Sequence, residues 1–486
     1  MAEEFIVRLA QTCDMKNVFD LSNDETVRAM CICPQKIEWE NHVKWFENIL
    51  KNPNVLFYVA ETKARDFMAQ IRFAHENGTW IVSVSLTGAF RGKGLSKVLL
   101  KEAMNKSGLR NFRAYVQENN TASQKLFSSL GYKKIGTETI NGKTYFKFEY
   151  APVFIIAEMS ANHCGDKELA KKIILKAKEV GADAVKIQTY TADTITIDCN
   201  NEEFQIKDKD SLWNGENLYR LYQKAYTPWE WQGELKQYAD EIGIPLFSTP
   251  FDFTAVDFLE SINVPIYKIA SFEAMDYPLI KYAARLGKPM IISTGVSSFE
   301  EIQGAVDACK SVGNDDVTLL KCTSAYPAKP EDMNLMTIKD MMEHFAPQGV
   351  KIGLSDHSMS IIPPVTAVAM GAKVIEKHFT LDRNLGGADS GFSLNPEEFS
   401  AMVKAVRETE KTLGNVDYSI NEKNRKFARS LYVVKDIKKG EKFTKENVKS
   451  IRPSNGLHPK YYEEILGKNA ARDLPFGTAL KSDDIL

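Results

Sequence analysis

The chain has 486 residues, 44% hydrophobic and 26% charged, with 62 basic and 64 acidic side chains and a net charge of −2. At roughly 150 residues per domain this is about three domains with enough apolar material for real cores, and it excludes a chain that is disordered throughout. No run of ~18 apolar residues occurs, and MAEEFIVRLAQTCD lacks a basic-then-apolar leader pattern, so the expected location is cytoplasmic, without a membrane span.

In chain order, three grammars follow one another. Residues 1–150 mix strands and helices: a strand at FIVRLA, a helix over 37–50, strands at VLFYVAE, FMAQIRF and WIVSVSL, a helix over about 93–106, a strand at NFRAYVQ, a helix over 120–130, and a closing hairpin turning at Asn141-Gly142. This segment carries 21 Lys+Arg against 16 Asp+Glu, the rest 41 against 48. Such an excess is too small for a nucleic-acid binder. Residues 151–413 change to strict alternation. FIIAE, AVKIQT, PLFST, IYKIAS, MIIST, VTLLKCT, KIGLSD and VIEKHF are each followed by a helical pattern. Eight such units predict a (β/α)8 barrel, with an open doubly wound sheet as the alternative. A polar, Trp-containing insertion at 190–225 follows the second strand; long loops are uncommon and often functional. A polar linker over 414–425 leads to a small turn-rich unit, 426–486, which at that size should dock on something. The seven Cys include no CxxC pair, which reads as reduced thiols rather than a disulfide framework or a zinc site.

The barrel's strand ends are where chemistry is expected. They offer Glu158 with Asn162 and His163; Lys186 and Gln188; Ser248 and Thr249; Lys268, Ser271 and Glu273; Ser293 and Thr294; Thr323, Ser324 and Tyr326; Ser355, Asp356 and His357; and Glu376, Lys377 and His378. Period two puts Lys186 with Gln188, Ser355 with His357, and Glu376 with His378 on one side of their strands. Inward lysines and carboxylates are costly unless they meet a ligand or a partner. Two lysines among hydroxyls suit a phosphate with a carboxylate. His357 and His378 on adjacent strands suit a divalent metal with open positions. His42, His75 and His344 read as ordinary core or surface residues.

At these residues the chain resembles the sialic acid synthase family, through IIAEMSANHCGD, ADAVKIQT, FSTPFD, YKIAS, IISTG, KCTSAYP, GLSDHS and IEKHFT in order. GLHPKYYEEILGK, after Ser450-Ile-Arg-Pro, is similar to that family's C-terminal antifreeze-like (SAF) domain. SLWNGENLYRLYQKAYTPWEW and GGADSGFSL look closer to its pseudaminic acid synthases than to its N-acetylneuraminate synthases. The resemblance implies condensation of phosphoenolpyruvate with a 2,4-diacetamido-2,4,6-trideoxy hexose of altrose type, giving a nine-carbon 2-keto acid and phosphate. It implies Mn²⁺ or Mg²⁺ on His357 and His378, and Glu376 as base. Lys186, Thr249, Lys268, Ser271, Ser293, Ser324 and Ser355 would hold phosphoenolpyruvate, and Glu158, Gln188, Tyr326 and Asp389 the sugar. It further implies a domain-swapped homodimer in which Arg452 covers the neighbouring subunit's site. The family's RPGxG is RPSNG here, with Ser454 in place of a glycine.

In the front segment, VSLTGAFRGKGLSKVLL ends a strand and opens a helix through Arg91, Gly92, Gly94 and Ser96. Glycines let a backbone approach a pyrophosphate, and helix N-terminal amides bind it. With NNTASQKLFSSLGYKKIG, which begins near Asn120, this resembles the GNAT N-acetyltransferases and implies acetyl-CoA as cosubstrate. LSNDETVRAM and HVKWF look like the amino-sugar acetyltransferases of the pseudaminic acid pathway at Asn23, Arg28, His42 and Trp45. The acceptor implied is a nucleotide-linked 4-amino sugar, two steps before the synthase reaction. Phe127 stands where that family often has the tyrosine thought to protonate the leaving thiolate. Tyr132 or Tyr115 would substitute, or the domain is a non-catalytic module. The competing reading of the whole chain is an N-acetylneuraminate or legionaminate synthase carrying such a module.

Overall fold

The structure, a computed structural model, describes residues 5–76, 79–107, 109, 111–207, 213–414, 416, 418–420 and 422–486. Ser211 and Leu212 of the insertion, and linker residues 415, 417 and 421, lie outside the described residues. Two compact units divide at Gly414.

The first unit opens with a seven-stranded sheet: β1 (Phe5–Leu9), β2 (Val55–Thr62), β3 (Phe67–Glu76), β4 (Thr79–Leu86), β5 (Phe112–Gln117), β6 (Lys133–Ile140) and β7 (Lys143–Tyr150), in the order β1-β2-β3-β4-β5-β7-β6. The β6–β7 hairpin turns where expected, with Asn141 and Gly142 both at positive φ, as a tight two-residue turn requires. Alternation decides the faces. Ile71, Phe73, Val82, Ala114, Val116 and Phe148 pack with Leu99, Leu100, Ala103 and Phe127 of the helices Leu95–Ser107 and Thr121–Ser129. On the other face Phe57 and Val59 lie under Val18 and Phe46, from the helices Met15–Ser22 and Trp39–Ile49. Parallel pairing of β4 with β5 is confined to Trp80–Phe112 and Ile81–Arg113; both strands run on beyond it, so they part into a V.

Eight parallel strands then close on themselves: β8 (Phe154–Glu158), β9 (Ala184–Thr189), β10 (Leu246–Pro250), β11 (Tyr267–Ile269), β12 (Met290–Ser293), β13 (Val317–Cys322), β14 (Lys351–Asp356) and β15 (Val374–His378). β15 pairs with β8 from Val374–Phe154 to His378–Glu158, which excludes the open-sheet alternative. Side-chain caps start the outer helices directly after the loops. Asp166 accepts from Glu168 N at 2.8 Å and Asp252 from Ala255 N at 3.0 Å, while Ser298 with Glu301 and Asn395 with Glu398 form reciprocal boxes. The apolar shell between strands and helices is one continuous core. Lys377 faces this shell rather than the lumen. Its Nζ lies 2.6 Å from Asp356 Oδ2 and also meets the Ser358 and Ser360 carbonyls, so the buried pair is fully satisfied.

The second unit pairs β16 (Ser430–Val433) with β17 (Val448–Ile451) over its own core, which includes Leu431, Val433, Phe443, Ile465, Leu474 and Leu480. Among the described residues no helix is long and apolar enough to cross a membrane.

Candidate active site

Glu376 is the centre of the barrel's C-terminal end. Its Oε1 accepts from Ser355 Oγ at 3.0 Å and lies 3.9 Å from both Lys186 Nζ and Lys268 Nζ; its buried Oε2 has no hydrogen-bond partner. Lys186 also meets Thr249 Oγ1 at 3.3 Å and Glu158 Oε2 at 2.5 Å, the latter an ion-pair contact out of line for a hydrogen bond. Lys268, 1% exposed, donates to Ser293 Oγ at 2.6 Å and to the Ile269 carbonyl at 2.9 Å. Both lysines are thus already held by hydroxyls and shared acid groups at the top of the lumen.

The two carboxyls differ in their electrostatics. Burial pushes Glu158 up to about 7 although Lys186 opposes it, and the Glu376 charge adds to the rise. Burial acts upward on Glu376 too, but Lys186, Lys268 and the Ser355 hydroxyl together hold it below the usual carboxylate range. Environments that separate two neighbouring carboxyls in this way are the mark of an acid and base pair.

A second polar chain runs across the first strand end. Gln188 Nε2 donates to Glu158 Oε1 (3.3 Å) and Ser160 Oγ (3.0 Å), and Ser160 Oγ donates to Asp389 in the loop after β15. Asn162 fastens that loop through the Phe379 carbonyl and the Ser393 and Ser390 hydroxyls. His163 is structural: buried and lowered to about 4 by that burial, it bridges Gly165 N and Thr227 Oγ1.

His357 and His378 lie side by side, with ring centroids 5.2 Å apart. His357 Nδ1 lies 3.0 Å from the Thr323 carbonyl, which fixes the tautomer with its Nε2 lone pair outward. His378 Nδ1 is buried without a partner, and burial, with His357 and the lysines adding, keeps that ring neutral. For His357, burial acts downward while the Cys322 sulfur, the Thr323 carbonyl and Asp356 act upward and prevail, raising it. Among the described residues no three His, Cys, Asp or Glu side chains converge as a metal cluster. The unpartnered His378 Nδ1 beside His357 is the observation that fits a cation held by two imidazoles, whose remaining positions would be left for substrate and water.

Sequence reasoning placed these residues together but passed over three others. Gly295 is a cradle: a Cβ there would lie 2.3 Å from Ser324 Oγ, 2.9 Å from Ser271 Oγ and 3.2 Å from Cys322 Sγ, and its N–H already donates to Ser271 Oγ at 3.1 Å. Ser324 Oγ is buried without a partner. Phe392 packs on His378 (4.8 Å) and on Tyr326 (5.2 Å), and Tyr326 lies tilted against His357 (4.4 Å). Trp213 of the insertion closes this box, 5.7 Å from Tyr326, and donates to the Ala388 carbonyl. All three lie within the motifs IISTG, GGADSGFSL and SLWNGENLYRL, but a glycine and two apolar rings carry no charge, hydroxyl or imidazole to signal a role.

In the front sheet, Gly92 and Gly94 both take positive φ just before the helix Leu95–Ser107. Ser96 sits in that helix's first turn. Arg91 is turned to its own domain, with Nε on the Leu86 carbonyl (2.8 Å) and a guanidinium nitrogen 2.8 Å from Asp24. Asn120 caps the helix Thr121–Ser129 through Ser123 N. Asn23 grips both backbone groups of Ile37, Arg28 holds the Cys33 carbonyl, and His42 is buried against the Met15 carbonyl. Trp45 is partly exposed, with Arg72 5.7 Å from its ring and His42 and Phe57 beside it. Of the two tyrosines expected to substitute for the missing one, Tyr132 is buried with its hydroxyl on Met104 Sδ, and Tyr115 is engaged with Arg113.

Cationic and hydroxyl groups gathered at this end of a closed parallel barrel mark a (β/α)8 enzyme for a phosphorylated small molecule. Comparison with known proteins narrows this. Residues 173–418 match the NeuB family, 428–486 the SAF domain, and 4–133 the acetyltransferase (GNAT) domain. A pseudaminic acid synthase of Campylobacter jejuni is 51% identical over 335 residues, 68% of this chain and 96% of that protein. One of Helicobacter pylori is 48% identical over 338 residues, 69% and 98% of the two chains. An N,N'-diacetyllegionaminic acid synthase of Legionella pneumophila is 37% identical over 336 residues, 67% and 93%. The chain belongs to the NeuB family and carries a GNAT domain ahead of the synthase part and a SAF domain after it.

Proposed function

We propose that the chain is a bifunctional enzyme of nonulosonic acid biosynthesis. Its barrel condenses phosphoenolpyruvate with a 2,4-diacetamido-2,4,6-trideoxy hexose to give pseudaminic acid and phosphate. The observation that carries this reading is Glu376 shared between two buried lysines among hydroxyls, in a chain about half identical to pseudaminic acid synthases. The lower identity to the legionaminic acid synthase disfavours the alternative sugar.

Lys186, Lys268, Thr249, Ser271, Ser293, Ser324 and Ser355 hold phosphoenolpyruvate, and the Gly295 cradle leaves its phosphate room between two hydroxyls. Glu158, Gln188, Tyr326 and Asp389 orient the open-chain sugar. A divalent cation, Mn²⁺ or Mg²⁺, on His357 and His378 would act there as a Lewis acid toward the aldehyde. The phosphoenolpyruvate methylene carbon attacks that aldehyde, and Glu158, whose carboxyl burial pushes upward, is the proton donor to the oxygen that gains charge. Glu376 takes a proton from the water that adds at the phosphate-bearing carbon, and phosphate then leaves. Arg452, exposed on the second unit, covers the site of a neighbouring subunit in a domain-swapped homodimer. In the front domain, the parted β4 and β5 and the Gly92–Gly94 loop support acetyl-CoA binding and acetylation of a nucleotide-linked 4-amino sugar.

The test is phosphate release from phosphoenolpyruvate with a panel of 6-deoxy-diacetamido sugars and N-acetylmannosamine. Preferential turnover of the altrose-type sugar is expected. Equal or better use of N-acetylmannosamine would overturn the assignment.

A further inference from the structure

The sheet face opposite the helices Leu95–Ser107 and Thr121–Ser129 carries polar side chains at the open end of the V. Ile71, Val116 and Phe148 belong to the helix-side core, so alternation turns Gln70, Gln117 and Tyr145 to the other face. Gln117 and Tyr145 are directly paired, at the last residue of β5, where that strand has already left β4. The Tyr145 ring is 1% exposed and its hydroxyl has no hydrogen-bond partner. Gln117 Oε1 and Gln70 Oε1 are also buried and unpartnered. Buried polar atoms left unpaired are costly, and three on one face beside a parted sheet point to a ligand that satisfies them.

We propose that Tyr145 is the catalytic acid of acetyl transfer, supplying from β7 the hydroxyl that Phe127 lacks. This rests on the acetyltransferase reading above. Phe127 is packed in the helix-side core on Tyr132 and Phe148, so the acid is absent from its usual element. The acceptor amine attacks the thioester carbonyl and the C–N bond forms. As the C–S bond breaks, sulfur keeps the electron pair and takes the Tyr145 proton. The adduct's ammonium then loses a proton, which restores the Tyr145 hydroxyl, so one proton passes in net from nitrogen to sulfur. Burial, with Cys31 and Cys33 adding, raises the Tyr145 hydroxyl, which keeps it a donor at neutral pH.

The experiment uses the full chain and reads free thiol released from acetyl-CoA with a nucleotide-linked 4-amino sugar. Tyr145→Phe is expected to lower kcat by about a hundredfold or more, the scale of a lost general acid. Acetyl-CoA affinity by calorimetry and the acceptor KM should stay near wild type, and Tyr132→Phe should leave turnover unchanged. A Tyr145→Phe enzyme with wild-type kcat, or one impaired only in acceptor KM, would overturn the assignment. So would acetyl-CoA affinity lost in step with turnover, which would make Tyr145 a packing residue. A wild-type chain that releases no thiol would instead overturn the acetyltransferase reading itself, and the proposal with it.

Discussion

Replacing Gly295 by alanine puts one methyl group into the space that two serine hydroxyls and a thiol enclose. The new Cβ would sit 2.3 Å from Ser324 Oγ and 2.9 Å from Ser271 Oγ, distances no carbon tolerates. Both neighbours are ends of short side chains, so rotation can relieve the clash at an overpacking cost of about 1–3 kcal/mol. The barrel should therefore still fold, with Tm lowered by only a few degrees. The rotated hydroxyls no longer meet the phosphate. A hydrogen bond to a charged group is worth about 1.5–3 kcal/mol, so losing one should raise the phosphoenolpyruvate KM about 10–150-fold. The assay is initial-rate phosphate release at saturating sugar, with calorimetry of phosphoenolpyruvate as a check. The sugar KM should move little, because Gln188 on β9 and Asp389 after β15 belong to other strand ends than Gly295, which follows β12. A Gly295→Ala enzyme that folds and keeps its phosphoenolpyruvate KM would refute the cradle.

Four further outcomes are expected. His357→Ala or His378→Ala should abolish synthase turnover with the circular dichroism unchanged, and full activity after exhaustive chelation would contradict the metal assignment. The fragment 151–486 should fold and keep synthase activity, since strands β8 to β15 close without the front sheet; aggregation would contradict this. Gly94→Val forces a β-branched residue to φ +75°, which should weaken acetyl-CoA binding seen by calorimetry and leave the synthase unaffected. Arg452→Ala subunits mixed with Glu376→Gln subunits should regain synthase activity in mixed dimers; no rescue, with heterodimers seen by native mass spectrometry, would exclude a shared site.

The barrel was legible because its pattern is local. Apolar runs of strand length, each followed by a helical period, give eight units, and the last residues of each run name the lumen groups without any knowledge of pairing. The same rule separates Glu376 and His378 from Lys377, which turns outward to Asp356. Contacts between distant loops were not legible. Gly295 matters because Ser324 and Cys322 come to it from the neighbouring strand end, and Phe392 because its loop folds back over His378. In the front domain, sequence reading assigned ligand roles to residues whose local bonds compete with such roles. Asn120 caps its own helix, Arg91 reaches back to Leu86, and Asn23 closes on Ile37. Tyr145 went unnoticed because its meaning depends on a register, β5 against β7, and on where β4 leaves β5.

The distribution of unpaired polar atoms adds a physical reason to place two sites in the first unit. A buried group without a partner costs about 1–3 kcal/mol, so a stable chain keeps few of them without a compensating role. The buried pair Lys377–Asp356 shows what a purely structural solution looks like here: both side chains are fully enclosed, and the ammonium meets a carboxylate and two carbonyls. Glu376 Oε2, Ser324 Oγ and His378 Nδ1 are enclosed to a similar degree and meet nothing, and all three stand at one end of one barrel. Gln70 Oε1, Gln117 Oε1 and the Tyr145 hydroxyl repeat the pattern on one face of one sheet. Other such atoms, Arg28 Nε, His42 Nδ1 and Ser297 Oγ among them, belong to neither group, so the two groups mark sites by their company with the barrel end and the parted sheet. The two groups share no residue and belong to separate sheets. Each can therefore bind its own small molecule without the other, as expected if the two reactions are not consecutive.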